Sequence, residues 1–225
     1  MISEYSHQAY PTSFVGYIPE KQDAVLIIKL AIMGHIPMIQ ERPPEYHRQH
    51  AIRSGAVYVV DESQIHRWTD GRTWSPSRAL GSFMIYRELI KAKKGLKKQH
   101  GASQSVSPLY IDPNRPFSNP EFSLYGSLVD SYYFEPDGLV KKTLVATYRN
   151  KRYRLVSYYK ANDVLACRLP TPLDYPDLVS MGVDDELDNE IIIGSGESSI
   201  ATLNLLHSEP NLWYPPQLPD SDEYH

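Results

Sequence analysis

Between Ala24 and Ile32 the apolar residues Ala24, Val25, Ile27, Ile28, Ala31 and Ile32 recur at helical spacing, and Gly34 follows where such a helix would stop. Phe14 to Ile18 before Pro19 reads as a short strand, and Pro43-Pro44 opens a more polar helix that runs to about Arg53, with Gly55 as its stop. Ala56-Val57-Tyr58-Val59-Val60 is a β-branched run bounded by Gly55 and Asp61-Glu62, the pattern of a buried strand. Leu80, Phe83, Met84, Tyr86, Arg87, Leu89 and Ile90 fit an amphipathic helix. Leu139–Tyr148 and Arg152–Tyr159 alternate as two strands of a hairpin around Arg149-Asn150-Lys151, with Asn150 able to turn left-handed. Asn162 or Asp163 caps a last short helix through Arg168, which Pro170 and Pro172 close.

One segment fits neither period. Arg67 to Arg78 (Arg67-Trp68-Thr69-Asp70-Gly71-Arg72-Thr73-Trp74-Ser75-Pro76-Ser77-Arg78) carries three arginines, two of the three tryptophans and no aliphatic side chain, so it is not a core strand. Asp70-Gly71 is a type I′ dipeptide, and a hairpin closed there collects Arg67, Thr69, Arg72 and Trp74 on one face and Trp68 and Thr73 on the other. Trp68 then belongs to the core. Ser75-Pro76 is spaced to cap the next helix and to leave backbone N–H groups for an anion. Fixed positive charge with hydroxyl donors suits phosphates and a narrow nucleic-acid groove, whereas a bland reading has Trp–Arg cation–π pairs stiffening a surface turn.

Charge sharpens this. The formal net charge is −4, yet twelve of the 27 acidic side chains and none of the 23 basic ones lie from Asp174 onward, leaving 23 against fifteen, a net of +8, for residues 1 to 172. A basic body with an acidic segment behind it is the asymmetry of two parts with different roles. The lone Cys167 excludes an intrachain disulfide and, beside Val164, Leu165 and Leu169, is expected to be buried packing in a reducing compartment. No apolar run approaches the roughly 18 residues that span a bilayer. Lys91 to Lys98 is a basic run, either an import signal or a solvated linker, and Lys91 to Gly138 reads as a linker or surface excursion rich in Ser, Pro, Asn and Tyr.

The enzyme alternatives are thin. His47 and His50 stand three apart without a Cys or acidic partner at metal-site spacing, so a polar helix surface accounts for them; Asp61, Glu62 and Asp70 imitate a nuclease cluster, but each has a strand-end or turn role. Neither a metal nor a cofactor is expected. Seventeen tyrosines keep a single-stranded nucleic-acid or protein-interaction module as the alternative reading.

The sequence resembles the fungal WOPR-domain regulators, named for white-to-opaque switching and including the gluconate-transport-inducer type. The resemblance rests on Phe14-Val15-Gly16-Tyr17, Asp23-Ala24, Ile52 through Glu62, Arg67 through Arg78, Leu80-Gly81-Ser82-Phe83, Tyr86 through Leu89, Gly138 through Leu144 and Leu155 through Tyr159. It implies a single α+β domain of antiparallel strands and helices at 10–172, built from two blocks (10–90 and 139–172) that fold together across a variable linker (91–138). Residues 173–225 form an acidic, flexible segment outside it. It also implies a nuclear regulator of transcription, concerned with morphology and metabolism, that binds double-stranded DNA at A·T-containing sites through the minor groove and works beside other transcription regulators. Arg53, Ser54 and the Arg67–Arg78 segment are the implied contacts. His66 departs from the family in replacing a permanently charged residue, which weakens one phosphate contact near pH 7. On this reading Lys141, Lys142, Arg152 and Arg154 track phosphates, while Arg67, Arg72 or Arg78 enters the groove with polar help from Thr69, Thr73, Ser75 or Ser77, and Trp74 belongs to the same DNA-binding set. A kinase acting on Thr69 would place a phosphate that repels DNA.

Overall fold

The structure, a computed structural model, describes residues 10–97, 120–182 and 190–194. Its spine is the hairpin of β5 (Val140–Tyr148) and β6 (Lys151–Tyr159), in register from Val140↔Tyr159 to Tyr148↔Lys151. The turn leaves only Arg149 (φ 46°) and Asn150 (φ 62°) unpaired, both left-handed, as a two-residue type I′ connection requires. β2 (Ala56–Asp61) pairs with β6, and β1 (Phe14–Val15) with β2. On the other edge of β5 lies β4 (Phe83–Arg87) followed by β3 (Arg78–Leu80), and the far end of β5, at Ala146 and Thr147, pairs with β7 (Ile192–Ile193). Every pairing in this seven-stranded sheet is antiparallel, with the order β1-β2-β6-β5-β4-β3 and β7 against β5.

Strand alternation divides the core in two. Val57, Val59, Leu144, Ala146, Tyr153 and Leu155 face the apolar stripe of α1 (Lys21–Ile32), with Ala24, Ile27, Ile28 and Ala31 buried against them. The opposite face presents Ala56, Tyr58, Val60, Val156 and Tyr158. It is covered by Ile39, by Ile52 at the end of α2 (Glu45–Ala51), by Ile65 and by the two half-buried tryptophans Trp68 and Trp74. The Arg/Trp segment is thus the lid on one face of the sheet.

Several expectations are corrected. Arg67 to Ser77 forms no hairpin: only Gly71 has positive φ (75°), Asp70 does not, and the one ladder contact before β3 is an isolated bridge, Trp74↔Glu88. A hairpin would send Trp68 and Trp74 to opposite faces, whereas lying flat lets both rings pack on Tyr58 and Tyr158. Ser75-Pro76 starts no helix. The expected helix at 80–90 is instead the β3–β4 hairpin, turned at Gly81-Ser82, because Phe83 and Ile85 point inward with period two and β5 offers them a ladder.

The supposed linker is partly core. α3 (Pro120–Tyr125) carries the buried Leu124, and Leu128 and Tyr132 pack on Ile85 and Leu89. Arg87 fastens this stretch: its guanidinium sits 3.8 Å and 3.9 Å from the centres of the Tyr125 and Phe134 rings and donates to the carbonyls of Leu128 (2.6 Å) and Val129 (2.9 Å). Residues 98–119, the centre of that linker, lie outside the described residues. The short helix expected before Pro170 is α4 (Ala161–Leu165); Cys167 stands just past it, exposed and left-handed (φ 50°), not buried. It occupies the position where a chain leaves a helix, so its side chain turns to solvent. Beyond residue 172, α5 (Pro176–Met181) packs Leu178 on the α1 side and β7 extends the sheet, so the ordered body runs past the boundary drawn from the sequence. The rest of the acidic segment lies outside the described residues.

Candidate nucleic-acid interface

The lid is organised by one carboxylate. Asp70, 6% exposed, accepts from Trp74 Nε1 (2.9 and 3.0 Å), Tyr158 OH (2.8 Å), Lys141 Nζ (3.1 Å) and the backbone N–H of Arg72 (3.1 Å). Tyr158 OH in turn accepts from Trp68 Nε1 at 2.7 Å, so both tryptophans are tied to the same centre. Burial alone would raise the Asp70 pKa; Lys141 and the donors from Trp74, Tyr158 and Arg72 outweigh it and hold the carboxyl below its usual range. Burial lowers the Lys141 pKa although Asp70 opposes the change. The pair is an ionised acceptor hub with a strongly desolvated counter-ion. Gly71 is needed at the bend: its φ is 75°, and a Cβ there would stand 3.3 Å from Cδ of Arg48, which lies over it.

This geometry sorts the candidate residues. Arg67 is exposed with no hydrogen-bond or ion-pair partner among the described residues, and Arg53 is exposed at the end of α2. Arg72 is held back: it donates to Glu88 Oε1 (2.8 Å) and to the Ile52 carbonyl (3.0 Å). Arg78 donates to the neighbouring Ser77 carbonyl. Thr69 accepts from Arg42 at 3.3 Å, and Thr73, half-buried, takes the Leu89 N–H on its carbonyl. Ser75 is buried and accepts the Arg87 N–H, Ser54 accepts the Lys160 N–H, and Trp74 is half-buried.

Two assigned phosphate contacts need correction. Adjacent residues of a strand point to opposite faces, so Lys141 and Lys142 cannot both reach a shared ligand. Lys142 points into the core, 2% exposed, donating to the carbonyls of Ile18 (2.8 Å) and Pro19 (2.7 Å) beside the Phe83 ring; burial brings its pKa down to about 8. Lys141 is on the lid side, but its side chain is 13% exposed, paired with Asp70 and set over the Trp74 and Tyr86 rings. Both are structural cations. Arg152 and Arg154 remain partly exposed and share Glu62 as partner. The sequence reading missed Glu88, Arg42 and Arg48 as lid supports. Their signal lay in chain-distant pairings, which no local pattern carries.

An antiparallel sheet covered by a helix on one face and by an Arg- and Trp-rich lid on the other defines a single α+β domain. The chain belongs to the Gti1/Pac2 family, whose sequence model matches residues 13–160. Among its relatives, the global transcription regulator sge1 of Fusarium oxysporum f. sp. lycopersici is 38% identical over 192 residues, covering 74% of this chain and 58% of that protein. The sge1 of Verticillium dahliae is 36% identical over 195 residues, covering 71% and 38%. The chain therefore spans about two-fifths to three-fifths of the length of these curated relatives. In structure it is similar to the WOPR domain of Wor1 from Candida albicans, solved as a complex with a 13-bp double-stranded DNA: 26% identity, TM-score 0.55, covering 81% of this chain and 97% of that one.

Proposed function

We propose that this chain is a sequence-specific, double-stranded DNA-binding regulator of transcription that acts in the nucleus without catalysis. The observation that carries the reading is the lid itself: a cationic segment clamped by Asp70 to a rigid sheet, with Arg67 projecting free beside it. Relatives named as transcription regulators and a DNA-bound WOPR domain of the same fold support it.

Arg67 and the exposed Arg53 are placed to meet DNA as the protein stands. Arg67 enters a narrow A·T-rich minor groove, where the negative potential is deepest, with Thr69 and Ser77 as polar neighbours. Arg72 joins only if the duplex displaces Glu88, so its contribution is smaller than that of Arg67. Arg152 and Arg154 track phosphates, their two charges half-offset by Glu62. Arg67→Ala will cost about 1–3 kcal/mol on the preferred duplex and much less on a scrambled one, as binding isotherms on the two will measure. Equal losses on both duplexes would reduce Arg67 to a phosphate contact and remove the selector role.

Tyr58, Tyr158 and Tyr159 are fully buried, so they give the single-strand stacking alternative no support. No helix among the described residues is long and apolar enough to cross a membrane. No group of three or more His, Cys, Asp or Glu among them is placed to hold a metal ion.

A further inference from the structure

The basic run after Ile90 is not a free linker. Lys91–Lys93 forms a 3-10 turn closed by Lys93 N–H to the Ile90 carbonyl (2.9 Å) and followed by Leu96 N–H to the Lys93 carbonyl (3.2 Å). The turn is docked at both ends: Ile90 N–H donates to the Tyr133 carbonyl (3.0 Å), and Lys97 bridges Tyr132. Lys93 Nζ rests 4.4 Å from the centre of the Tyr133 ring. All residues from Lys91 to Lys97 are exposed, and Lys91, Lys94 and Lys97 have no acidic partner among the described residues. The strip adjoins the lid, since Leu89 N–H donates to the Thr73 carbonyl (2.8 Å) and one groove of about 480 Å³ joins Arg48, Arg72 and Lys91, with Glu45, Glu88 and Glu135 also on its wall.

Resting on the DNA-binding reading above, we infer that the docked turn carrying Lys91, Lys93, Lys94 and Lys97 is a second contact surface for the same duplex, taking phosphates that flank the segment read by the lid. Duplex DNA offers one negative charge about every 1.7 Å of axis, so a row of ammonium groups beside a groove-reading loop meets phosphates without needing a sequence. Lysine fits this part, being a compact point charge on a flexible stem, while the lid uses arginine. An import receptor reading the run as a linear peptide would first have to peel it from Tyr132 and Tyr133.

The test is a salt titration of binding by the full chain, with all four lysines changed to Gln or all four to Arg, on the preferred duplex and a scrambled one. The Gln variant weakens both duplexes by the same factor, and its log–log salt slope is shallower by about 0.9 for each phosphate lost, about 2 or more in all. The Arg variant keeps the parent slope. A parent-like slope in the Gln variant overturns the inference, whether nuclear import is lost, which would make the strip an import signal, or retained, which would make it a solvated face. In either case a parent that still prefers its own duplex leaves the lid reading intact; a parent that binds neither duplex removes both.

Discussion

Asp70→Ala will destabilise the domain by about 3–5 kcal/mol and abolish preferential DNA binding, although Asp70 itself is buried beneath the lid. The change strands three buried donors: the Trp74 indole, the Tyr158 hydroxyl and the Lys141 ammonium, which is left without a counter-ion. The ammonium is the costliest, because burial already lowers its pKa against the pull of Asp70. Its escape is to shed the proton, which still leaves the lid untied from β5 and β6. Urea melts give the stability loss, and exposure of Trp68 and Trp74 will shift their fluorescence to the red.

The same group predicts a pH dependence. Its pKa in the fold lies below the unfolded value of about 3.9, so its contribution to stability is complete above about pH 4 and disappears as pH falls through the depressed value. Asp70→Asn removes that acid limb. A variant whose acid denaturation matches the parent's would show the carboxylate to be dispensable.

Arg87→Ala will cost about 3 kcal/mol, but at a different place. The guanidinium fills the gap between Tyr125 and Phe134 and satisfies two carbonyls, so its loss leaves the Leu128 and Val129 oxygens unpaired and opens a space between the rings. The lid is attached by the Arg87 backbone, whose N–H meets Ser75 Oγ, and survives. Hydrogen exchange should therefore accelerate at the N–H groups of Ile90 and Glu135, which pair across this junction with Tyr133 and Glu88, while the tryptophan fluorescence stays as in the parent. Uniform acceleration throughout the sheet would mean that residues 120–135 do not open separately.

These two side chains mark where the sequence was legible and where it was not. α1, β2 and the β5–β6 hairpin were readable because each is long enough for its period to be unambiguous and each buries its stripe against a neighbour. Asp70-Gly71 misled because a local turn preference competed with the apolar area of two indoles, and the rings of Tyr58 and Tyr158 on the lid side of the sheet offered both indoles burial only if the loop lay flat. Residues 80 to 90 were ambiguous by length, and the β5 edge that made a strand of 83–87 lies more than fifty residues away in the chain. Lys142 shows the limit of reading charge as surface: its strand position is inward, and the carbonyls of Ile18 and Pro19 accept its ammonium. The lid was found from its residue types alone, but the carboxylate that holds it took the partners from β5 and β6 to recognise.

Selection of bound duplexes from a random pool by the full chain, followed by isotherms on the winner and a scrambled copy at one stated salt concentration, tests the central claim. The account predicts one enriched A·T-containing motif, bound at least about a thousandfold more tightly than the scrambled copy. A pool that returns no common motif, or equal affinity for the two duplexes, would contradict it.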